Sequence, residues 1–399
     1  MNSIPIRRIL SALWLCAITT CATAGEWSGF VALENRYFPE DALSSEQHDN
    51  YLSIVAEPEY YRDWDDGRQS FTFVPFARID QYDDERTHVD IRELEWIKAA
   101  EQHEWRIGVR KVFWGVTEFQ HLVDIINQTD AVENVDGEDK LGQPMINFAL
   151  IKEWGTLDLF ALVGFRERTF PGDEGRLRTI PPIDPDQSVF ESSAEKDHID
   201  LAIRWSHALG DWDIGVYHFS GTSRDPRLTI GIDDGATVLV PLYDQIDQTG
   251  IDVQATKANW LWKLEAIRRS GQGDSFAAAT AGFEYTFVGV AESGIDVGIV
   301  SEYLFDDRDE DALTPFEDDL ALGVRLTFND VQSTELLFGV IADLDDDARL
   351  WSLEASRRLR ESWKLSVEAR IFSDIPPEDS FLFGLRDDDF IQVELARFF

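Results

Sequence analysis

The chain ends in the stretch 389–399, DFIQVELARFF, in which apolar and polar side chains alternate up to a terminal phenylalanine. Successive side chains of a β-strand point to opposite sides, so a period of two gathers the apolar residues on one face. The apolar face carries Ile391, Val393, Leu395 and Phe399, and the opposite face carries Gln392, Glu394 and Ala396. A strand that lies between lipid and water needs this division. An edge strand of a soluble sandwich is the alternative.

This terminal stretch resembles the last strand of Gram-negative outer-membrane β-barrel proteins. In that family the final strand commonly ends in phenylalanine, and it is the signal that the barrel-assembly machinery reads. The resemblance implies that Phe399 has this role here. Arg397 departs from the family pattern, which usually has an apolar or aromatic residue there. The aliphatic part of its side chain would have to extend along the lipid so that the guanidinium reaches the membrane–water interface.

The N-terminus predicts an export signal over residues 1–24. Arg7 and Arg8 precede a mostly apolar run at 9–20, and Ala22-Thr23-Ala24 fits a cleavage site before Gly25. Both cysteines, Cys16 and Cys21, fall inside this leader, and neither has the context of a lipidated cysteine. The exported chain would therefore have no disulfide, thiolate metal site or cysteine nucleophile.

Charge and hydropathy narrow the classes further. The full chain has a formal net charge of −40, and removal of Arg7 and Arg8 with the leader makes it −42. So acidic a protein repels nucleic acid and attracts cations. Mean hydropathy is −0.25, and beyond the leader no stretch approaches the ~20 apolar residues of a membrane-spanning helix. A membrane protein of this composition must be a closed barrel, in which strands pair with strands.

Alternating segments recur along the whole of 25–399, which we interpret as one all-β transmembrane antiparallel barrel of about 18 strands, 16 being the other even count. Every connection longer than about eight residues falls on one end if the first strand starts in the periplasm. That end carries the long outer loops, and the short turns are periplasmic. Aromatic residues fall near both rims, with Tyr37, Tyr51, Tyr82, Tyr217, Tyr303 and Trp351 expected at the outer one.

If the apolar faces meet lipid, the opposite faces line a polar lumen. The predicted pore-lining residues are Glu57, Glu59, Arg78, Glu93, Glu95, Arg106, Arg110, Arg204, Lys263, Glu265, Arg325, Glu368 and Arg370. A barrel of 16 to 18 strands is wide enough for an aqueous channel, and facing charges select solutes by charge and size. The alternative is that these charges brace the wall of a plugged barrel.

The long third outer loop, 114–144, is the predicted constriction. Leu122, Val123, Ile125 and Ile126 have the spacing of a short apolar helix, which needs cover. Folding into the barrel mouth would provide it, and in this role the loop resembles the third loop of general porins, which narrows the channel. Its acidic residues Glu118, Asp124, Asp130 and Glu133 would then face the solute. A lid over the outer surface is the alternative.

No metal, cofactor or catalytic site is predicted. Asp343, Asp345, Asp347 and Glu354 match four positions of a calcium loop, but Ala348 stands where the glycine is needed, so we expect only unspecific divalent-ion binding there. Ser206 and His207 are adjacent and would point to opposite faces of a strand. No protease, hydrolase or phosphate-loop motif is present in the sequence.

The sequence thus predicts a porin-like channel in the outer membrane of a Gram-negative bacterium, through which small hydrophilic solutes diffuse with some preference for cations. The expected partners are outer-membrane lipid and lipopolysaccharide, the barrel-assembly machinery and the solutes themselves, with a homo-oligomer left open. Two other functions remain: a substrate-specific transporter for a polysaccharide or lipid, and a plugged structural barrel.

Overall fold

A computed structural model describes residues 25–309, 312–377, 379 and 382–399. The predicted export signal, residues 1–24, lies outside the described residues. The helices that lie wholly within these residues are short 3-10 turns at Pro185–Gln187, Glu195–Asp197, Val290–Glu292 and Phe383–Leu385. None of the described helices has the length and apolarity needed to cross a membrane.

Eighteen of the 21 strands found in the described part of the chain form one closed antiparallel barrel, which confirms the predicted fold class and strand number. Each strand pairs with the next along the chain, and β1 closes the ring by pairing with β21, with Phe30 opposite Phe398. The barrel strands are β1 (Glu26–Tyr37), β2 (Asn50–Trp64), β3 (Gln69–Asp80), β4 (Val89–Ala99), β5 (His103–Arg110), β6 (Gln143–Lys152), β7 (Gly155–Leu162), β9 (Asp200–Leu209), β10 (Trp212–Thr222), β13 (Gln245–Lys257), β14 (Trp260–Ser270), β15 (Phe276–Phe287), β16 (Asp296–Asp306), β17 (Asp318–Thr327), β18 (Glu335–Asp343), β19 (Arg349–Arg360), β20 (Trp363–Ser373) and β21 (Phe390–Phe398).

The alternation in sequence becomes an apolar outside and a polar inside. In β1, Val31 and Leu33 are 47 % and 48 % exposed on the outer surface, whereas Glu34 between Leu33 and Asn35 is 2 % exposed. This is the reverse of a soluble protein, in which the apolar face is the buried one. Because successive side chains of a strand point to opposite faces, the charged residues that alternate with the apolar ones point into the barrel.

The connections separate by length, as the sequence predicts. At one end, here the short-turn end, strands join through tight turns such as 65–68, 210–211 and 258–259. Gly210 has a φ of 65° and Ala258 a φ of 54°, the left-handed backbone that two-residue hairpins require. The opposite, long-loop end carries 38–49, 111–142, 163–199 and 374–389.

One irregularity in β4 decides which charges face inward. The pairing of β3 with β4 shifts between Val74 and Pro75, so that Val74 lies opposite Glu93 and Pro75 opposite Ile91. Arg92 is the extra residue of this bulge. A bulge lets two consecutive residues lie on the same side, and both Arg92 and Glu93 therefore project inward. Regular alternation is weak in this segment for that reason.

Two long loops contain a second sheet that the sequence analysis did not predict. Its strands are β8 (Val189–Phe190), β11 (Arg227–Asp233) and β12 (Ala236–Tyr243); β11 and β12 form a hairpin, and β8 pairs with β12 in parallel. The hairpin turns at Asp234 and Gly235, which have φ values of 45° and 87°. Asp-Gly between two alternating segments is a strong hairpin signal, so this element was readable from the sequence.

The predicted outer aromatic rim is correct only in part. Tyr37 and Tyr303 are exposed on the outer surface, but Tyr51 and Tyr217 are 4 % and 2 % exposed and point into the barrel. The Tyr51 hydroxyl donates to the carbonyl of Glu174 at 2.6 Å. Both tyrosines lie at inward-facing positions of their strands. The alternation of the strand therefore decides where these side chains point, although both residues lie near the rim.

Candidate pore and inserted loop

The connection between β5 and β6, residues 111–142, lies inside the barrel, and we call it the inserted loop. Its apolar residues form the largest buried cluster together with the inner wall: Val123 and Ile126, both 0 % exposed, pack with Leu162, Phe219 and Ile246. No helix forms over Leu122 to Ile126, so the predicted apolar helix is wrong. The backbone turns at 122–123 instead, and the apolar side chains are covered by the wall.

Two buried glutamates of the wall bind the backbone of the inserted loop. Glu265 on β14 accepts hydrogen bonds from the amides of Val116 (2.6 Å), Thr117 (3.0 Å) and Val123 (3.2 Å), and from the Thr117 hydroxyl (2.6 Å). Glu302 on β16 accepts a hydrogen bond from the amide of Glu118, which follows Thr117 in the loop, at 2.8 Å. Most of these amides precede the segment 122–126, so carboxylates of the wall, and not helical hydrogen bonds, hold this part of the loop backbone.

A phenylalanine holds the same part of the loop against the far wall. The ring of Phe119 lies over Gly323 on β17 and Gly339 on β18, which are direct cross-strand partners. A side chain at Gly339 would place its Cβ 2.7 Å from the ring. The two glycines therefore form the space that the ring occupies.

The other end of the inserted loop is held by ion pairs to β1, β3 and β4. Glu133 pairs with Arg78 at 2.6 Å, and Asp130 pairs with Arg92 at 2.5 Å. Arg36 on β1 donates to the backbone carbonyl of Glu133 at 3.0 Å. Each of these side chains is at most 6 % exposed. Because buried charges need partners, these contacts fix the loop in one position on this wall.

A third attachment reaches β20. Asn134 donates to Glu368 at 3.0 Å, and Arg370 pairs with Asp136 of the loop at 2.9 Å. The inserted loop thus contacts β3 and β4 on one side, β20 beyond them, and β14 to β18 across the ring. It crosses the lumen and does not lie as a lid over the outer surface.

Loop charges also meet cations on the wall. The Glu118 carboxylate lies 2.7 Å from Arg325 and 3.3 Å from Lys263. Burial by itself raises the pKa of Glu118, but the two cations outweigh it and hold the pKa below its ordinary value. Glu118 is therefore ionised at neutral pH.

His121 is a loop cation that the sequence analysis missed. Its ring nitrogens lie 3.2 Å from Glu138 and 3.6 Å from Glu265. Burial lowers the pKa of His121, but the two nearby carboxylates raise it to about 10 overall. The imidazolium therefore persists at neutral pH and neutralises part of the Glu265 charge. No spacing in the sequence links His121 to Glu265, because strand β14 follows much later in the chain.

No family model matches the chain, and no curated protein matches it. Among solved structures, a BenF-like porin from Pseudomonas fluorescens Pf-5 superposes with a TM-score of 0.52 at 10 % identity, over 95 % of this chain and 99 % of that one. The chain has a porin fold. A mutant porin of Rh. blastica is a further neighbour, at 11 % identity over 94 % of this chain and 100 % of that one, with a TM-score of 0.46.

Within this porin fold, six of the thirteen residues predicted to line a pore contact the inserted loop or its ion pairs. They are Arg78, Lys263, Glu265, Arg325, Glu368 and Arg370. Partners on the loop and on the wall share their neutralisation: Arg370, for example, pairs with Asp136 of the loop and with Glu354 and Glu368 of the wall. Of the four predicted constriction residues, Asp130 and Glu133 bind the wall, Glu118 faces wall cations, and Asp124 accepts from loop amides, including that of Gly115 at 2.9 Å.

Four more predicted lining residues pair along the wall of the porin fold. Arg110 contacts Glu95, and Arg106 contacts its strand neighbour Glu104. Arg204 makes a two-bond contact with Asp252, at 2.5 and 2.8 Å. The Arg204–Asp252 pair borders a cavity of about 300 Å³ at the short-turn end, whose lining also includes Lys152, Thr156 and Asp213.

The remaining three predicted residues form an acidic patch. Glu57 and Glu59 lie on the inward register of β2, and Glu93 lies two strands away on β4. All three are partly exposed, and none forms an ion pair with another described residue. Lys111 and Arg110 are near enough to Glu93 to attract it, but neither lies within ion-pair distance of the patch.

Proposed function

We propose that this protein is a porin-like channel of a bacterial outer membrane through which small hydrophilic solutes diffuse passively. The observation that carries the proposal is the closed 18-strand barrel with an apolar outer surface and an ionic interior crossed by the inserted loop. Closure pairs every strand edge, as a bilayer requires. A barrel of this strand number has room for water beside a loop.

Liposome swelling tests the channel directly. Purified protein reconstituted into liposomes should admit small sugars and exclude larger ones, because the inserted loop narrows the lumen. Protein-free liposomes and liposomes containing heat-unfolded protein are the matched controls. If sugars of every size are excluded, diffusion through the barrel is refuted.

Cation preference follows from the distribution of charge in the lumen. Arg78, Lys263 and Arg370 are paired with carboxylates, whereas the acidic patch of Glu57, Glu59 and Glu93 forms no ion pair with a described residue. The field inside the lumen should therefore be negative, in keeping with the net charge of −40. In a planar bilayer under a potassium chloride gradient we expect a cation-selective reversal potential; an anion-selective one would contradict the reasoning.

The long loops should face outward and the short turns should face the periplasm. The sequence offers a clean test, because both cysteines precede residue 25. A cysteine at Asp234, on the tip of the β11–β12 hairpin, should react with a membrane-impermeant maleimide in intact cells. A cysteine at Asp66, in the turn 65–68, should react only after the outer membrane is permeabilised. The opposite labelling would reverse the topology.

A plugged structural barrel is the second candidate, and one observation favours it. Glu34, Arg78, Arg86 and Glu133 are all at most 6 % exposed, so the inserted loop packs closely against this side of the lumen. In that case neither sugar uptake nor ion conductance would be detected in reconstituted membranes. The two measurements above thus separate the two candidates.

A further inference from the structure

Three carboxylates converge at the long-loop end of the barrel, away from the inserted loop's ion pairs. Glu317 precedes β17, Asp319 is its second residue, and Asp343 ends β18 directly opposite Asp319. One oxygen of each carboxylate lies within 4.8 Å of the others. Neighbouring anions at this distance repel one another strongly unless a cation or a proton lies between them.

Asp319 gives the cluster a property that surface acidic groups lack. The residue is 3 % exposed, and its Oδ2 atom is buried without a hydrogen-bond partner. A buried carboxylate oxygen without a partner is costly, because it has lost its water and gained nothing in return. The atom needs a partner that the described residues do not supply, and a cation shared with the two neighbouring carboxylates would provide it.

The surroundings supply no positive charge. Among the described residues, no lysine, arginine or histidine pairs with Glu317, Asp319 or Asp343. Leu304, the cross-strand partner of Asp319, is 0 % exposed and packs in an apolar cluster with Ala321.

Local geometry already orients one of the three groups. The Oδ1 atom of Asp343 accepts hydrogen bonds from the amides of Asp345 (2.7 Å) and Asp346 (2.8 Å). These bonds hold the Asp343 side chain in place and leave its other oxygen available. The turn 344–348 thus orients a carboxylate toward Asp319, and Asp343 does not act with Asp345, Asp347 and Glu354 as a calcium loop.

We propose that Glu317, Asp319 and Asp343 bind one Ca²⁺ ion at the mouth of the barrel. Ca²⁺ takes carboxylate oxygens at ~2.3–2.6 Å, so its ligands lie up to about 5 Å apart, which matches the spread of this cluster. Mg²⁺ requires shorter bonds and a stricter octahedron and fits less well. Water or backbone carbonyls complete the coordination. The ion joins the β16–β17 and β18–β19 connections, whose charges would otherwise repel.

A second group of metal-ligating residues shows what distinguishes the proposed site. His88, Asp130 and Glu133 lie equally close together. There, however, Arg92 pairs with Asp130 at 2.5 Å and Arg78 with Glu133 at 2.6 Å. The arginines already neutralise these carboxylates and would repel a metal ion. Only the first cluster combines proximity, burial and the absence of a cationic partner.

Isothermal titration calorimetry tests the site with Ca²⁺ as the probe. Full-length protein in detergent is stripped with EDTA, dialysed and titrated with CaCl₂ and, separately, MgCl₂ at pH 7.5. We expect one saturable Ca²⁺ site per chain, bound at least tenfold more tightly than Mg²⁺. Asp319→Asn should weaken Ca²⁺ binding by at least tenfold.

Asp318→Asn is the matched control. Asp318 is the adjacent residue, but its carboxylate accepts from the Tyr303 hydroxyl at 2.5 Å on the other face of the strand. This variant should bind Ca²⁺ like the unaltered protein. Asp343→Asn, which keeps the oxygen that accepts from the turn, provides a second test if Asp319→Asn does not fold. The proposal is overturned if the unaltered protein has no saturable site, or if all variants bind Ca²⁺ equally.

Discussion

Glu265→Gln should release the central part of the inserted loop from the wall. Glutamine keeps one oxygen for the amides of Val116 and Thr117 and the Thr117 hydroxyl, but it loses the negative charge. Hydrogen bonds to charged groups contribute about 1.5–3 kcal/mol and neutral ones about 0.5–1.5, so three bonds lose roughly 3 kcal/mol together. The new NH₂ group also faces the amide of Val123, 3.2 Å away, and two donors cannot bond. One more unsatisfied donor costs about 1–3 kcal/mol.

These contributions are not additive within one network, so we expect a net loss of about 3 kcal/mol in loop docking. That corresponds to a docking equilibrium about 100-fold less favourable. Amide hydrogen exchange measured by mass spectrometry, on peptides covering 114–126, reports it directly. Exchange of these amides should accelerate by about two orders of magnitude, while peptides from β17 and β18 stay protected.

Glu284→Gln is the control for the loss of a lumen charge. Glu284 on β15 faces Arg325 at 3.5 Å, and none of its described contacts is with the inserted loop. It should leave exchange in 114–126 unchanged. If Glu265→Gln accelerates exchange by less than threefold, or no more than Glu284→Gln does, the assigned role of the Glu265 carboxylate is wrong.

Three further outcomes are expected. The pKa of His121 is raised to about 10 from a usual ~6.5. The charge of His121 therefore stabilises the docked loop fully below about pH 6.5, and this contribution is lost as pH rises through about 10. Amide exchange of the loop, relative to an unstructured peptide, should increase over that pH window, and His121→Gln should abolish the pH dependence. Gly339→Val should displace the ring of Phe119 and lower the free energy of unfolding, measured in urea, by about 1–3 kcal/mol. Adding Phe119→Ala to this variant should recover part of the lost stability. No recovery would show that the ring is not the cause. Replacing Glu57 and Glu59 by glutamine should move the bilayer reversal potential toward zero, whereas Glu361→Gln in the exposed β19–β20 turn should not; equal shifts would argue against the acidic patch as the source of selectivity.

Much of the barrel could be predicted because its constraints are local in sequence. Alternation in residues such as Val31 to Glu34 is imposed by lipid on one side and the lumen on the other, and it needs no knowledge of the neighbouring strand. Chain closure then fixes the direction of each strand, and the lengths of the connections identify the two ends. The Arg92 bulge weakened the pattern of one strand but did not change the count.

The inserted loop shows where this reasoning fails. Leu122, Val123, Ile125 and Ile126 have helical spacing, but that spacing records only which residues are buried, not how their amides are satisfied. Glu265, on a strand far along the chain, accepts from the amide of Val123, and Glu302 accepts from the earlier loop amides of Glu118 and Phe119. The β8–β11–β12 sheet was missed for a different reason. Its Asp234-Gly235 turn is a hairpin signal, but the segment around it was interpreted as one long loop.

The amino-acid sequence alone determined the barrel, its two ends and the inward direction of its charges, because each depends on a period of two and on the distance between neighbouring segments. Only the tertiary structure decided which charges meet. Glu133 pairs with Arg78 and Arg92, and Glu118 pairs with Arg325, whereas Asp319 lies opposite another carboxylate, that of Asp343. Barrel closure and the path of the inserted loop bring these partners together from distant positions in the chain, and electrostatic energy depends on that distance in space.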